Sequence, residues 1–333
     1  MKAIVQDRYG SADSLRLAEV ARPVAADDQV LVRIHAAAVN AYDWHAMRGD
    51  PYIARLSFGL GAGPRARIRG RDFAGRVAAV GRNVTRLRVG DTVYGDLGPS
   101  DGAFAEYACV REELVEAMPA NLTFAQAAAM PVAGSTALIC LRDAAQLQPG
   151  QHVLVNGASG GVGSFAVQLA KAFGARVTGV CSTRNLELVS TLGADEVVDY
   201  TRDDFTRDDF VRAGGRYDVV LDLVGNRSLA DCRRALTADG TLVLSGGGVS
   251  GSGSLLGPVS LLSRGRLLAR FVRQRLVVPS TTPGRENLVA LRQLAEAGKV
   301  VPVIDRSYPL EKAPEAIRYV EVEHARAKVV ITG

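Results

Sequence analysis

The chain has 333 residues, of which 47% are hydrophobic and 35 are glycine, and its formal net charge is +5. This composition excludes a fibrous or disordered protein and indicates an α/β enzyme of two domains, each long enough to bury a core. The four cysteines, Cys109, Cys140, Cys181 and Cys232, are far apart in the sequence, which excludes a secreted disulfide scaffold.

The first 120 residues are rich in short strand-like segments separated by Gly, Asp and Asn. The clearest are QVLVRIHAAAV, GRVAAVG and DTVYG. They predict a compact β-barrel-like domain with few helices. The opening MKAIVQDRYG lacks the apolar core of a signal peptide, and no uncharged apolar run reaches membrane-spanning length, so we expect a cytoplasmic protein.

A long apolar helical stretch, FAQAAAMPVAGSTALICLRDA, joins this domain to a second region of alternating strands and helices between residues 152 and 280. Six strand candidates occur in that region: HVLVNGA, ARVTGVC, EVVDY, YDVVLDLVG, GTLVLSG and RLVVPS. Strands that alternate with helices form right-handed crossovers, so we expect a doubly wound parallel sheet. The tail contains two amphipathic helices and a last strand, AKVVITG, which by pattern alone fit either domain.

Four glycines separate the first of these six strands from the following helix: Gly157, Gly160, Gly161 and Gly163. Without a Cβ they permit a tight turn, bring backbone N–H groups close to a pyrophosphate and place that anion at the N-terminus of a helix. Glycine clusters also occur in ordinary turns. The position of this cluster between a strand and a helix nevertheless predicts a dinucleotide site.

The second strand of the series is followed by Ser182, Thr183 and Arg184. Many dinucleotide-binding folds place a carboxylate there, about 20 residues past the glycine-rich turn, to bind a ribose 2′-OH. A carboxylate would repel a 2′-phosphate, whereas a guanidinium binds it bidentately. The three residues therefore predict NADP(H) as the cofactor. The alternative is that Arg184 only begins a solvated helix.

Positive charge is concentrated late in this region. Between Gly240 and Arg285 there is no Asp or Glu, but there are six arginines. On a helix, Arg266 and Arg270 share a face opposite Leu268 and Phe271, an arrangement that permits docking to a membrane surface or a nucleic acid. We expect instead a solvated face near the cofactor cleft or a dimer contact, with neither a membrane nor a nucleic acid as a partner.

Seven segments of the sequence, taken together, are specific enough to indicate a protein family: AAAVNAYDWHAMRGD, GRDFAGRVAAVGRNVTRLRVGDTVYG, GAFAEYACV, AAAMPVAGSTAL, NGASGGVGSFAVQLAKAFGA, LGADEVVDY and ARAKVVI. With them the chain resembles, over nearly its whole length, the zinc-independent quinone oxidoreductase branch of the medium-chain dehydrogenase/reductase superfamily. The resemblance implies a GroES-like β-barrel catalytic domain of residues 1–122 and 285–333, and a Rossmann NADP(H)-binding domain of residues 123–284. It also implies a homodimer.

Zinc-dependent relatives in this superfamily have a Cys at the position of Asn40 and a His-Glu pair at Arg71 and Asp72. Neither Asn nor Arg is a credible zinc ligand, and the chain lacks a Cys-rich lobe, so we expect no metal. Without a Lewis acid, reduction of a simple ketone is harder than hydride addition to a conjugated acceptor. This favours a quinone, or the C=C bond of an α,β-unsaturated carbonyl, as the substrate.

The resemblance also implies individual site residues. The cofactor-binding positions are Thr136, Ser159, Gly160, Gly161, Val162, Ser182, Thr183, Arg184, Tyr200, Leu223, Gly225, Gly246, Val278 and Lys328. The catalytic positions are Asn40, a donor to the substrate oxygen, Asp43, which orders the pocket, and Tyr52, a proton donor for which Tyr42 or water is the alternative. His45 stands where some relatives have a tyrosine.

Two other functions remain open at this point. One is an NADP-dependent alcohol dehydrogenase with an unrecognised proton relay. The other is a cofactor-binding interaction protein without turnover, either crystallin-like or RNA-binding.

Overall fold

The computed structural model describes residues 1–203, 216–246, 258–323 and 325–333. It divides the chain into a first unit of residues 1–135 and 282–333 and a second unit of residues 136–281. The resemblance implied a boundary after residue 122. The segment that follows residue 122 instead packs on the first unit, because Ala125 and Ala129 contact Ala38 and Val330.

The first unit is built mainly on antiparallel strands, with one parallel pair among the described residues. Its strands, numbered along the whole chain, are β1 (Lys2–Gln6), β2 (Leu15–Glu19), β3 (Gln29–Val39), β4 (Asp72–Val80), β5 (Thr92–Asp96), β6 (Tyr107–Arg111), β7 (Val115–Ala117), β14 (Ile304–Pro309) and β15 (Lys328–Thr332). Strands β1 and β2 form a two-stranded sheet, and the others form a seven-stranded sheet of order β14-β15-β3-β4-β5-β7, with β6 paired to β3. The parallel pair is β14 and β15. Apolar side chains of these strands, such as Ile4 and Phe73, form one core together with Phe104, which precedes β6.

Among the described residues, six helices accompany these strands, and the fourth of them crosses the boundary into the second unit: α1 (Ala41–Arg48), α2 (Arg55–Phe58), α3 (Phe124–Ala128), α4 (Pro131–Leu138), α9 (Arg285–Glu296) and α10 (Ala313–Val322). The predicted long apolar helix is interrupted because Pro131 has no N–H to continue α3 into α4. The tail belongs to the first unit. The Tyr94 hydroxyl donates to the carbonyl of Leu288 in α9 at 2.6 Å, and the Asn121 amide donates to the carbonyl of Ala295 at 2.8 Å.

The second unit contains the predicted parallel sheet. Its strands are β8 (His152–Asn156), β9 (Arg176–Cys181), β10 (Glu196–Asp199), β11 (Tyr217–Asp222), β12 (Leu236–Leu244) and β13 (Arg275–Val277), in the order β10-β9-β8-β11-β12-β13. All neighbours are parallel. The order reverses between β8 and β11, and ligands of such sheets bind beyond the carboxyl ends of the strands at that point.

The helices in the described residues of the second unit are α5 (Gly161–Ala172), α6 (Leu186–Thr191), α7 (Leu229–Arg234) and α8 (Pro258–Leu268). The arginine-rich segment begins in α8, where Leu268 packs on the core of the unit and Arg266 and Arg270 are exposed, as expected. Phe271 was expected opposite the arginines, but it is 77% exposed. Within the described part of the chain, no helix has both the length and the apolar character needed to cross a membrane.

Candidate active site

The glycine-rich turn connects β8 to α5 in the second unit. Gly157 has φ +90°, a conformation that favours glycine, and a Cβ on Gly163 would lie 2.1 Å from the carbonyl oxygen of Gly157. The helix therefore begins tightly against the end of the strand. Its N-cap, Gly160, has no side chain to satisfy the first N–H groups of α5. Such groups bind anions, so the turn that includes Ser159, Gly161 and Val162 fits a pyrophosphate.

The residues after β9 lie beside this turn. Asn185 donates from Nδ2 to Ser159 Oγ at 3.0 Å and to Ser182 Oγ at 3.2 Å, so it links the glycine-rich turn to the end of β9. Thr183 and Arg184 are exposed. The structure therefore brings together the pyrophosphate turn and the residues predicted to bind the 2′-phosphate.

A buried carboxylate anchors Thr183. Asp199, the last residue of β10, accepts a hydrogen bond from Thr183 Oγ1 at 2.5 Å and others from Thr201 Oγ1 at 2.7 Å and Thr201 N at 3.0 Å. The hydrogen bonds from the two threonine hydroxyls lower the pKa of Asp199 below its usual value. Tyr200, the next residue, is 49% exposed.

Three predicted cofactor residues meet at the ends of β11 and β12. A Cβ on Gly246 would lie 2.1 Å from the carbonyl oxygen of Leu223, so only glycine fits beside that strand end. Gly225 has φ +70°, and its N–H donates to Asp222 Oδ1 at 2.9 Å. Asp222 also accepts from Asn156 Nδ2 at 2.9 Å, which joins the ends of β8 and β11.

Two predicted cofactor positions lie apart from these clusters. Thr136 is half-buried in α4, at the first residue of the second unit, and Val278 is half-buried just after β13. Neither position takes part in the clusters at the ends of β8, β9 and β11.

In the first unit, Asn40 lies between β3 and α1. Asp43, at the third position of α1, accepts a hydrogen bond from the Asn40 backbone N–H at 2.7 Å. The Asp43 side chain is fully buried, and its Oδ1 has no hydrogen-bond partner among the described residues. Burial raises the pKa of Asp43 to about 7.

Lys328 completes a buried cluster with Asn40 and Asp72. Its Nζ donates to Asn40 Oδ1 at 2.6 Å and to the carbonyl of Val39 at 3.2 Å, and lies 3.4 Å from Asp72 Oδ2. The Lys328 residue is 2% exposed. Three acceptors of the first unit thus surround the ammonium group. These contacts account for its three N–H groups, and a contact of Lys328 with the cofactor stays a prediction.

The geometry also changes the role expected of Asn40. Its Nδ2 donates to Asp72 Oδ2 at 2.9 Å and to the carbonyl of Ala38 at 3.4 Å, so both amide hydrogens have acceptors within the first unit. This disfavours Asn40 as a donor to a substrate oxygen. A positioning role fits better, because the same amide holds Lys328 and Asp72.

The residues at the zinc positions of relatives do not fit a zinc ion. Arg71 makes a bidentate ion pair with Asp96, from Nε to Oδ1 at 2.8 Å and from Nη2 to Oδ2 at 2.6 Å. The Asp72 carboxylate is shared by Asn40, Lys328 and the N–H of Val132. One of these positions, Arg71, is thus itself a cation, and another, Asp72, is paired with the cation Lys328, where a divalent ion would need donors. The described residues contain no group of three or more His, Cys, Asp or Glu able to hold a metal.

A second buried ion pair lies near this cluster. Arg69 Nη1 is 3.1 Å from Asp101 Oδ2, and both side chains are 2% exposed. Burial raises the pKa of Asp101 to about 8, against the opposing effect of Arg69. The buried pairing of Arg69, Asp96 and Asp101 was not predicted from the sequence. The only sequence signal for these residues was that several charged residues occur in a segment whose other residues are typical of a hydrophobic core.

The two candidate proton donors have different surroundings. Tyr42 is half-buried, with the Arg71 guanidinium 4.8 Å from its ring centre, and burial raises the pKa of its hydroxyl. Tyr52 is 46% exposed, with the Arg55 guanidinium 4.7 Å from its ring centre. His45 stacks on Trp44 with ring centres 3.5 Å apart, and its Nδ1 lies 2.7 Å from the carbonyl oxygen of Asp50.

Comparison with known proteins agrees with this architecture. The family model described as alcohol dehydrogenase GroES-like domain matches residues 26–120, and the one described as zinc-binding dehydrogenase matches residues 192–331. The predicted fold class, a GroES-like domain with a Rossmann-type parallel sheet, is confirmed by the first match and by the strand order of the second unit.

Similar proteins cover the whole chain. It is 38% identical over 343 residues to 2-methylene-furan-3-one reductase of Solanum lycopersicum, covering 99% of this chain and 79% of that protein. It is 35% identical, with the same coverage of 99% and 79%, to the chloroplastic NADPH-dependent alkenal/one oxidoreductase of Arabidopsis thaliana. The solved structure of the quinone oxidoreductase from Coxiella burnetii is 30% identical with a TM-score of 0.85, covering 100% of this chain and 99% of that one. The chain belongs to the quinone oxidoreductase branch of the medium-chain dehydrogenase/reductase superfamily.

Proposed function

We propose that the protein is an NADPH-dependent reductase that transfers hydride to a quinone or to the C=C bond of an α,β-unsaturated carbonyl. Relatives named for NADPH-dependent reduction of alkenals and enones, and a structural relative named for quinone reduction, support this function. The observation that carries the choice of cofactor is Arg184, which follows β9 beside the pyrophosphate turn, where NAD-dependent folds place a carboxylate.

The second unit supplies the cofactor site. Backbone N–H groups at the start of α5 bind the pyrophosphate, and Arg184 and Ser182 bind the 2′-phosphate. The turn held by Asp222 borders the nicotinamide ribose, with Leu223 and Gly246 beside it. When bound, NADPH supplies the hydride.

The first unit supplies the substrate pocket. Reduction of an enone adds hydride at the β-carbon and leaves an enolate, which must then take one proton. We assign that proton to the Tyr52 hydroxyl, because Tyr52 is partly exposed, whereas the pKa of the more buried Tyr42 is raised. Asn40 and Asp43 act as positioning residues that fix the start of α1 and the buried ammonium of Lys328.

The residues at the zinc positions support a conjugated acceptor. Because Arg71 is paired with Asp96, and Asp72 with the ammonium of Lys328, these positions do not supply a Lewis acid to polarise a simple carbonyl. Conjugation lets the developing charge spread to an oxygen that hydrogen bonds stabilise.

A homodimer and a cytoplasmic location complete the proposal. The family resemblance supports the dimer, and four free cysteines, three of them buried, suit a reducing compartment.

The decisive experiment measures steady-state NADPH oxidation with acceptors matched in size. We expect turnover with 1,4-benzoquinone and with 3-buten-2-one, and little with 2-butanone, which lacks only the C=C bond. Faster reduction of 2-butanone than of the other two would favour an alcohol dehydrogenase. Tight NADPH binding without turnover of any acceptor would favour an interaction protein.

A further inference from the structure

Two arginines follow a contact between the loops after β9 and β10. Thr183 Oγ1 lies 3.0 Å from Thr201 Oγ1, and each threonine is followed directly by an arginine, Arg184 or Arg202. Both arginines are exposed, and the Arg202 side chain is 76% exposed. The threonine contact holds the two loops together, so a guanidinium group leaves each loop at the residue after the contact.

A buried carboxylate, Asp199, accepts hydrogen bonds from both threonines, and its charge explains why a second arginine, Arg202, is needed. Asp199 is 6% exposed and accepts hydrogen bonds from both threonine hydroxyls, which lower its pKa and keep it ionised at neutral pH. It therefore places a fixed negative charge beside the proposed 2′-phosphate position. The exposed carboxylates that are nearby in sequence, Glu187 in α6 and Asp203 after β10, are screened by solvent, whereas the buried charge is not.

A count of charges shows why one arginine is insufficient. A phosphate monoester carries about 1.5 to 2 negative charges at neutral pH. Arg184 alone would be offset by Asp199, leaving no net positive charge for the anion. Arg202 Nε lies 3.8 Å from Asp199 Oδ2, which is within ion-pair distance but too long for a hydrogen bond. The Arg202 guanidinium therefore interacts with that carboxylate as an ion pair, without a hydrogen bond from Nε.

We propose that Arg202 is the second arm of a clamp in which Arg184 and Arg202 together bind the 2′-phosphate of NADP(H), and that Asp199 positions both loops through Thr183 and Thr201. This inference rests on the proposed NADP(H) function and adds a residue to it. Two guanidinium groups supply paired N–H donors from two directions, which favours a phosphate over the hydroxyl of NAD(H).

The test compares two nucleotides that differ only in the 2′-phosphate, adenosine 2′,5′-bisphosphate and adenosine 5′-monophosphate, by titration calorimetry. We expect Arg184→Ala and Arg202→Ala each to weaken binding of the bisphosphate about tenfold or more, because each removes a charge-assisted contact. Affinity for the monophosphate should stay unchanged, which also shows that each variant is folded.

Arg273→Ala is the matched control. The Arg273 side chain is 77% exposed and its Nε is 2.7 Å from Asp239 Oδ1, so it is also an exposed arginine paired with an aspartate in the second unit. It should leave both affinities unchanged. A normal bisphosphate affinity in Arg202→Ala, with a loss in Arg184→Ala, would overturn the second arm and leave the proposed function intact. A wild-type protein without preference for the bisphosphate would overturn both.

Discussion

The ammonium group of Lys328 donates to the side-chain oxygen of Asn40 at 2.6 Å, across 288 residues of sequence, and both residues are buried. This contact joins the strand β15 in the tail to the start of α1. Asp72 Oδ2 lies 3.4 Å from the same ammonium, so the fold of the first unit encloses an ion pair. Removing one member of a buried pair leaves the other charge without compensation.

Lys328→Met should therefore destabilise the protein strongly. The expected loss is about 3–5 kcal/mol in the free energy of unfolding, because Asp72 stays buried with its ionic partner gone. Urea unfolding followed by circular dichroism measures this loss. Lys312→Met is the control. The Lys312 side chain is 54% exposed and its Nζ lies 3.6 Å from Glu315 Oε2. This variant should lose no more than about 1 kcal/mol in the free energy of unfolding. Equal losses in the two variants would contradict an energetically important buried pair. Adding Asp72→Asn to Lys328→Met should recover part of the loss.

The buried Asp43 predicts a pH dependence of stability. Its pKa is raised to about 7 in the folded protein by burial, above its usual value of 3.8, so the folded state binds this proton more tightly than the unfolded state. The stability contributed by protonated Asp43 is present at low pH and is lost as pH rises towards 7. Asp43→Asn has no proton to lose. The free energy of unfolding of the variant, relative to wild type, should therefore increase from pH 5 to about pH 7 and then level off, by no more than about 3 kcal/mol, since about 2 pH units at about 1.4 kcal/mol each lie in that range.

The control for this measurement is Asp13→Asn. The Asp13 side chain is 78% exposed and pairs with Arg318 at 2.6 Å on the surface of the same unit. Its stability relative to wild type should stay constant from pH 5 to pH 8. A constant difference for Asp43→Asn over the same range would show that Asp43 is not held protonated by burial.

Metal removal should leave activity unchanged. Arg71, at one position where relatives bind zinc, is paired with Asp96, and Asp72, at another, is paired with Lys328, so a divalent ion would have to displace two cations. Elemental analysis of the purified protein should find less than stoichiometric zinc, and NADPH oxidation should survive prolonged chelation. A stoichiometric zinc ion whose removal abolishes turnover would contradict this interpretation of Asn40 and Arg71.

Local patterns predicted the second unit well. Apolar runs that alternate with helical spacing identified all six strands, and the glycine cluster placed the start of α5 correctly, because these signals depend on residues close in sequence. The domain boundary in the apolar stretch after residue 122 was harder to predict from the sequence. It depends on whether Ala125 and Ala129 pack on the first unit, which no local pattern reports.

The buried charges of the first unit were beyond prediction for the same reason. Arg69 contacts Asp101, and Arg71 contacts Asp96, only because the residues before β4, the end of β5 and the loop after β5 are brought together by the fold. Sequence alone cannot show that the N–H groups of Lys328 are used by three acceptors. Tertiary hydrogen bonds, rather than residue type, therefore decide which predicted site residues remain available for cofactor or substrate.

The proton donor is the last test of the proposed chemistry. Tyr52→Phe removes only a hydroxyl from a side chain that is 46% exposed, so the fold should be preserved. Loss of a general acid lowers kcat about 10²-fold or more, and we expect this with 3-buten-2-one, together with a smaller change in KM and an unchanged affinity for adenosine 2′,5′-bisphosphate. Tyr107→Phe is the control, because Tyr107 also lies under a guanidinium, that of Arg22 at 3.9 Å, and it should keep wild-type kcat. If Tyr52→Phe keeps wild-type kcat and Tyr42→Phe loses it, the proton comes from Tyr42. If neither variant loses activity, water supplies the proton and Tyr52 serves only to shape the pocket.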